Sequence, residues 1–339
     1  MADPPAVALT DLPSLLAWEA SPGAWRPWRT MYDAFLWRRA RALCAQNPDD
    51  ACIALALQAL PPAKRRRFLR TPQVARLLYR QDGEHPWRGG ATFARELLAE
   101  LGSALPRDRG NTLLPAALTL DIDGDAPFPD EDDGFATLCY RPGECDRVVS
   151  KLRDAMMALR RLSPTIAALV TSWISVLALR RQPGKPNALF SSTFSHAVGL
   201  VRITNAHLAE ADRTSLMDAL VHEAIHSLLY GYEESRAPFQ TEPAWRVPIR
   251  SPWTGATLAL PSYLQACLVW YGLYHLWRLA QRAGFGPAER VAALAGRART
   301  GFHHRPVSQG LADYHAWVAP DCLALLYTIE GRMLNEVWV

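Results

Sequence analysis

Ser215-Leu-Met-Asp218-Ala-Leu-Val-His222-Glu223-Ala-Ile-His226-Ser-Leu-Leu-Tyr230-Gly231 is the stretch from which the rest of the chain is read. Leu216, Met217, Leu220, Val221, Ile225, Leu228 and Leu229 recur at helical spacing. Ser215-x-x-Asp218 reads as an acidic capping box that opens the helix, and Gly231 as the residue that ends it. His222 and His226 stand four positions apart, one turn on the same face, so both imidazoles can converge on one divalent metal. Glu223 is rotated from His222 by about 100°. It falls outside that ligand pair but within reach of a water or substrate at the metal's open position. A helix otherwise so apolar is expected to be buried, and burying two histidines and a glutamate without a shared partner is costly. The expectation is a metal site.

Upstream, Ala188 to Thr204 mixes Phe190, Val198, Leu200, Val201 and Ile203 with Ser, Thr and Gly, and is read as one or two strands. Asp146 to Arg181 has a long helical pattern broken at Ser163-Pro164, giving two helices that stop at Pro183-Gly184-Lys185-Pro186. The first third is read as helices over Ala24–Gln46, Asp50–Ala59, Arg67–Arg80 and Thr92–Leu101, with Lys64-Arg-Arg-Arg67 as a solvated entrance to the third. Between Pro106 and Pro142 the composition shifts to Pro, Gly and Asp. Asp121-x-Asp123-x-Asp125 is not a calcium loop, since Ala126 replaces the glycine and Asp132 the glutamate that such a loop needs. The expected fold class is mainly α (α+β): a zincin-like active-site helix, a short strand segment before it and a helical N-terminal part. The expected division is 1–120 helical, 121–145 acidic loop, and 146–339 the HExxH metal-binding region.

The 339 residues are 49% hydrophobic and 21% charged, a globular balance that excludes a mainly disordered or fibrous chain. A net charge of +4 is too small to name nucleic acid as a partner. The longest apolar run, Ile166 to Leu179, is too short for a bilayer, so no membrane partner is expected. The first residues lack a secretory signal pattern, and the expected compartment is the cytoplasm. Six cysteines form no CxxC pair, which argues against a thiolate metal site.

The third metal ligand stays open. Leu229 and Tyr232 stand where a metzincin has Gly and His. Glu233 falls about 10 Å beyond His226 along a straight helix, too far unless the helix breaks at Gly231. Glu242 follows a Pro-containing loop and can fold back. The next helical pattern, Tyr263 to Arg278, brings Gln265 and His275.

Phe190-Ser-Ser-Thr, Val198-Gly-Leu-Val, Ala219-Leu-Val-His222-Glu-Ala-Ile-His226, Arg250-Ser-Pro-Trp253-Thr-Gly255 and the aromatic run Val269–Trp277 together resemble the HExxH-motif peptide-modification proteins. These accompany gene clusters for ribosomally made, post-translationally modified peptides. The resemblance covers roughly residues 146 to 285, its most specific part being HExxH combined with Ser-Pro-Trp. It implies an iron(II)- and 2-oxoglutarate-dependent enzyme that hydroxylates a β-carbon in a precursor peptide. His222 and His226 would hold Fe(II), and the family's further histidine falls at Gln265. The distal carboxylate of 2-oxoglutarate calls for an arginine fork with a hydroxyl beside it, for which Arg250 with Ser251, or Arg246, is the nearest candidate. Two alternatives compete. One is a zinc metallopeptidase using Glu223 as general base. The other is a non-catalytic member that binds a leader peptide through its helical N-terminal part.

Overall fold

The computed structural model describes residues 7–46, 51–71, 74, 78, 118–122, 137–184, 188–241 and 246–336. The expected helix Thr92–Leu101, the acidic run Asp130–Asp133 and Glu242 lie outside them. In chain order the first helices are α1 (Leu12–Leu16), α2 (Arg26–Gln46), α3 (Ala51–Ala59) and α4 (Pro62–Leu69). Strand β1 (Thr119–Asp121) precedes α5 (Pro142–Leu162) and α6 (Pro164–Trp173). Then come β2 (Val176–Arg180), β3 (Phe190–Thr193), β4 (Leu200–Thr204) and α7 (Arg213–Ser235). The chain continues through β5 (Pro248–Arg250), β6 (Thr257–Ala259), α8 (Leu260–Arg282), α9 (Ala288–His304), α10 (Val307–Gly310) and α11 (Pro320–Asn335). The protein is mainly α with a small mixed sheet, as the sequence implies. No helix among the described residues is long and apolar enough to cross a membrane.

The described residues form two compact units, one within Arg29–Met156 and Val170–Gly231, the other within Pro5–Trp28, Met157–Leu169 and Tyr232–Val339. Each unit is assembled from segments remote in sequence.

In the first unit the sheet order is β1-β2-β4-β3, with β1, β2 and β4 parallel and β3 antiparallel at the edge. Val176–Arg180 reads as helix in the sequence but is the second strand, buried at every position. A parallel strand covered on both faces carries an unbroken apolar run, so the period that separates strand from helix is missing. The register puts Leu120, Leu177, Leu179, Val201 and Ile203 on one face, and Ser191 and Thr193 on that same face at the β3 edge. The α5–α6 break falls at Ser163-Pro164 as expected. Helix α4 overlaps the expected Arg67–Arg80 helix only at Arg67–Leu69, since it begins with Pro62 in its first turn, where the missing N–H costs nothing, and gives way to a turn at Arg70 and Thr71. The Lys64–Arg67 run therefore lies inside a helix and not at its entrance.

Helix α7 differs from the sequence reading at both ends. Its cap is Asp212, whose Oδ1 accepts the Ser215 N–H at 2.8 Å, three residues ahead of the expected box. The helix also runs through Gly231 to Ser235. Gly231 is buried, and a Cβ there would overlap Cζ3 of Trp173. Close packing, not helix termination, accounts for the glycine.

The second unit packs the β5–β6 hairpin, α8, α9 and α11 around a core including Tyr263, Leu264, Leu268, Trp277, Phe302 and Ile329. Trp18 reaches α8 by donating from Nε1 to the Gly272 carbonyl at 3.1 Å. Trp253 of the Ser-Pro-Trp element donates from Nε1 to the Ala298 carbonyl at 2.8 Å and stacks on Trp270. A Cβ at Gly301 would overlap its indole. The tryptophan that carries much of the family resemblance thus packs as a plug in this unit.

Candidate functional site

Between Thr214 and Gly231, every α7 residue is buried except Ser215, Asp218, His222, His226 and Tyr230. These five recur at steps of three and four, so the helix has one open stripe and it is polar. The imidazoles of His222 and His226 lie with centroids 5.0 Å apart, and Tyr230 stacks on His226 at 6.0 Å. A pair of imidazoles on adjacent turns of a rigid helix fits a divalent metal that favours nitrogen ligands, iron(II) or zinc.

Glu223 points elsewhere. It is 3% exposed and takes a hydrogen bond from Ser191 Oγ to Oε1 at 2.7 Å. One turn on, Ser227 Oγ and Thr193 Oγ1 pair at 3.2 Å. Two residues of strand span about 6.7 Å and four residues of helix about 6 Å, so β3 and α7 run side by side in matching step. Burial pushes the Glu223 carboxyl up to about 7, the Ser191 hydrogen bond opposes that shift, and the Asp218 charge adds to it. A carboxyl so poised can take up or release a proton near neutrality. Ser191, Thr193 and Ser227 were not singled out from the sequence. The available signal was a strand with hydroxyls at alternate positions directly ahead of the HExxH helix. Asp218, read as a cap, belongs instead to the histidine stripe.

Among the described residues no group of three His, Cys, Asp or Glu side chains is arranged to hold a metal, so His222 and His226 gain no third ligand of those types there. In the second unit, Glu233 accepts the Phe239 N–H at 3.1 Å and the Gln265 side-chain N–H at 2.6 Å. Burial raises its carboxyl above the usual range. Since α7 does not break at Gly231, the condition for Glu233 to ligate is not met. Gln265 is buried and uses its amide N–H on Glu233. His275 stands edge-on to Tyr271 and Tyr274, and its Nε2 is buried with no hydrogen-bond partner among the described residues. Burial, reinforced by Arg332, Arg282 and Arg278, lowers its pKa to about 4. Three guanidinium charges disfavour a metal cation beside it.

Arg246 and Arg250 are exposed, while Ser251 is buried. Ser251 closes the β5–β6 turn: its Oγ accepts the Thr254 N–H at 3.3 Å, and its backbone pairs with Gly255 and Ala256. Gly255 sits at φ +72°, which favours glycine. The structure thus brings His222, Glu223 and His226 together with Ser191, and places Gln265, His275, Arg246, Arg250 and Ser251 in the second unit. In comparisons with known proteins, no family profile and no curated protein matches the chain.

Proposed function

We propose that this protein is an iron(II)- and 2-oxoglutarate-dependent peptide hydroxylase that acts on a β-carbon of a ribosomally made precursor peptide in the cytoplasm. The observation that carries the reading is the single open stripe of α7 between Thr214 and Gly231, on which the His222 and His226 rings stand 5.0 Å apart while the other residues of that stretch are buried. Few protein ligands suit an iron that must also take a two-oxygen co-substrate and dioxygen. When bound, iron and 2-oxoglutarate would supply the oxidant that converts C–H to C–OH, with the co-substrate leaving as succinate and carbon dioxide. The resemblance over residues 146 to 285 supports the same chemistry.

The chain's own part follows from its residues. His222 and His226 would hold the metal on a helix fixed by packing. Glu223, oriented by Ser191, would hold or move a proton on the β3 side of the same helix. Arg246, Arg250 and Ser251, the residues the sequence offers for a carboxylate fork, lie on or next to the β5–β6 hairpin of the second unit.

The protein loaded anaerobically with iron(II) and 2-oxoglutarate should show a weak visible charge-transfer band. Admission of oxygen with the peptide should then add one oxygen atom to the peptide and release succinate. Tight zinc binding, no band and shortened peptides would overturn the reading.

A zinc peptidase is the second reading: Glu223 directly follows His222 on α7 and is oriented by the Ser191 hydroxyl, and a carboxylate in that position is the general base such an enzyme needs for an attacking water. Glu223→Gln separates the two, since it would cost a peptidase about 10²-fold or more in rate and leave hydroxylation measurable.

A further inference from the structure

The first unit carries a charge anomaly outside the α7 site. Between Arg29 and Thr71 the sequence holds nine basic residues against Asp33, Asp49 and Asp50, a local +6 on a chain whose total is +4. Two contacts join the helices that bear these cations. The Arg65 guanidinium lies over the Trp37 ring at 4.4 Å, and Arg70 grips the Asp33 carboxylate with two N–H groups, Nε to Oδ1 at 2.6 Å. Trp37 meeting Arg65 and Asp33 meeting Arg70 makes α2 and α4 antiparallel. The same pairing uses up Asp33, which Arg29 also approaches at 3.9 Å. Arg38 and Arg41 on α2, and Lys64, Arg66 and Arg67 on α4, are exposed and have no acidic partner among the described residues.

We propose that the exposed cations of α2 and α4 bind an acidic segment of the peptide substrate. Like charges packed three or four residues apart on a helix repel, and a polyanionic partner removes that cost. Four of the five free cations are arginines, whose planar forks match carboxylates, and Arg70 on Asp33 shows that geometry within the same helix pair. Helix α3, joined to α4 through Leu60 and Pro61, leaves Leu55 66% exposed. That offers an apolar landing for a peptide side chain, which a phosphodiester backbone does not need. The identity of the ligand rests on the peptide-hydroxylase reading, whereas the charged face does not depend on it.

The test is fluorescence anisotropy of the full chain with a labelled synthetic peptide rich in Glu and Leu. A Lys/Leu peptide and a single-stranded DNA oligonucleotide of the same length serve as competitors. The acidic peptide should bind, weaken as salt rises, and lose roughly tenfold or more in affinity with Arg38→Glu, Arg41→Glu, Lys64→Glu and Arg66→Glu combined. Circular dichroism and the metal content at His222 and His226 should not change. Should the fourfold variant fail to fold, Arg38→Gln with Arg41→Gln, and Lys64→Gln with Arg66→Gln, must each weaken binding in the same direction. Equal binding of acidic and basic peptides, variants that bind like the parent, or an oligonucleotide that binds more tightly than the acidic peptide would each overturn the proposal. Failure of metal binding with acidic-peptide binding intact counts against the hydroxylase reading alone. Loss of acidic-peptide selectivity with metal binding intact counts against this face alone.

Discussion

Ser191 on the edge strand donates a 2.7 Å hydrogen bond to Glu223 on the helix that carries both histidines. The strand is thereby locked to α7 by polar contacts, whereas β2 and β4 present leucine, valine and isoleucine to the same side. The hydrogen bond favours the ionised carboxylate, and burial opposes it. Ser191→Ala should therefore leave a buried carboxylate short of a donor and cost about 1–3 kcal/mol. Because the lost bond is worth more to the charged form, the gap in unfolding free energy between variant and parent should widen as pH rises through 7 and narrow toward 4.5. Ser191→Thr should restore most of it. A gap independent of pH in urea titrations of the metal-free protein would show that the hydroxyl does not act on Glu223.

Gly231 yields a prediction opposite in sign to helix propensity. Gly231→Ala in the middle of a helix would ordinarily add about 1 kcal/mol. Here the new methyl meets the Trp173 ring, and overpacking of that kind costs about 1–3 kcal/mol. The variant should be less stable than the parent in denaturant titrations, and Trp173→Leu should recover part of the loss in the double variant. Stabilisation by Gly231→Ala would refute the packing account.

These residues mark how far the sequence reading reached. The His222–His226 spacing, the buried helix around it and the strands ahead of it were legible because each is a local pattern. The role of Gly231 was not, because Trp173 lies 58 positions away and no local rule records what a glycine makes room for. Val176–Arg180 was hidden by its own burial, which erases alternation. The Ser191–Glu223 bond depends on a sheet register that only the folded chain displays.

The histidine pair should behave as a unit. His222→Ala and His226→Ala should each abolish retention of iron(II) or zinc, because a site with so few protein ligands cannot lose one. Glu223→Gln, whose side chain faces Ser191, should retain it. Metal analysis after gel filtration decides this, and unchanged stoichiometry in either histidine variant would remove the site.

His275 should show itself through pH. Its pKa falls from 6.5 to about 4 on folding, mainly through burial. The neutral ring is thus the one the fold accepts, so its contribution to stability is complete above 6.5 and is lost as pH falls through 4. The loss is on the order of 3 kcal/mol at most. His275→Phe should flatten the stability profile between those limits without changing metal content. A His275→Phe protein whose stability falls between pH 6.5 and 4 as the parent's does would refute the burial account.

Gln265 stands where the resembling family implies a histidine, and here its amide donates to the Glu233 carboxylate while Phe239 N–H holds the other oxygen. Glu233 is largely buried, and its carboxyl is raised by that burial against both hydrogen bonds. Removing the amide leaves the carboxylate with one donor. Gln265→Leu should therefore destabilise by about 1–3 kcal/mol, and most at high pH, where Glu233 must stay charged. Gln265→Glu should be worse at neutral pH, since two carboxylates would then share one site, and should recover as acid protonates one of them. If Gln265 serves Glu233 alone, metal content at His222 and His226 should be the same in Gln265→Leu as in the parent. A Gln265→Leu protein as stable as the parent at high pH would show that the amide does not hold the Glu233 carboxylate.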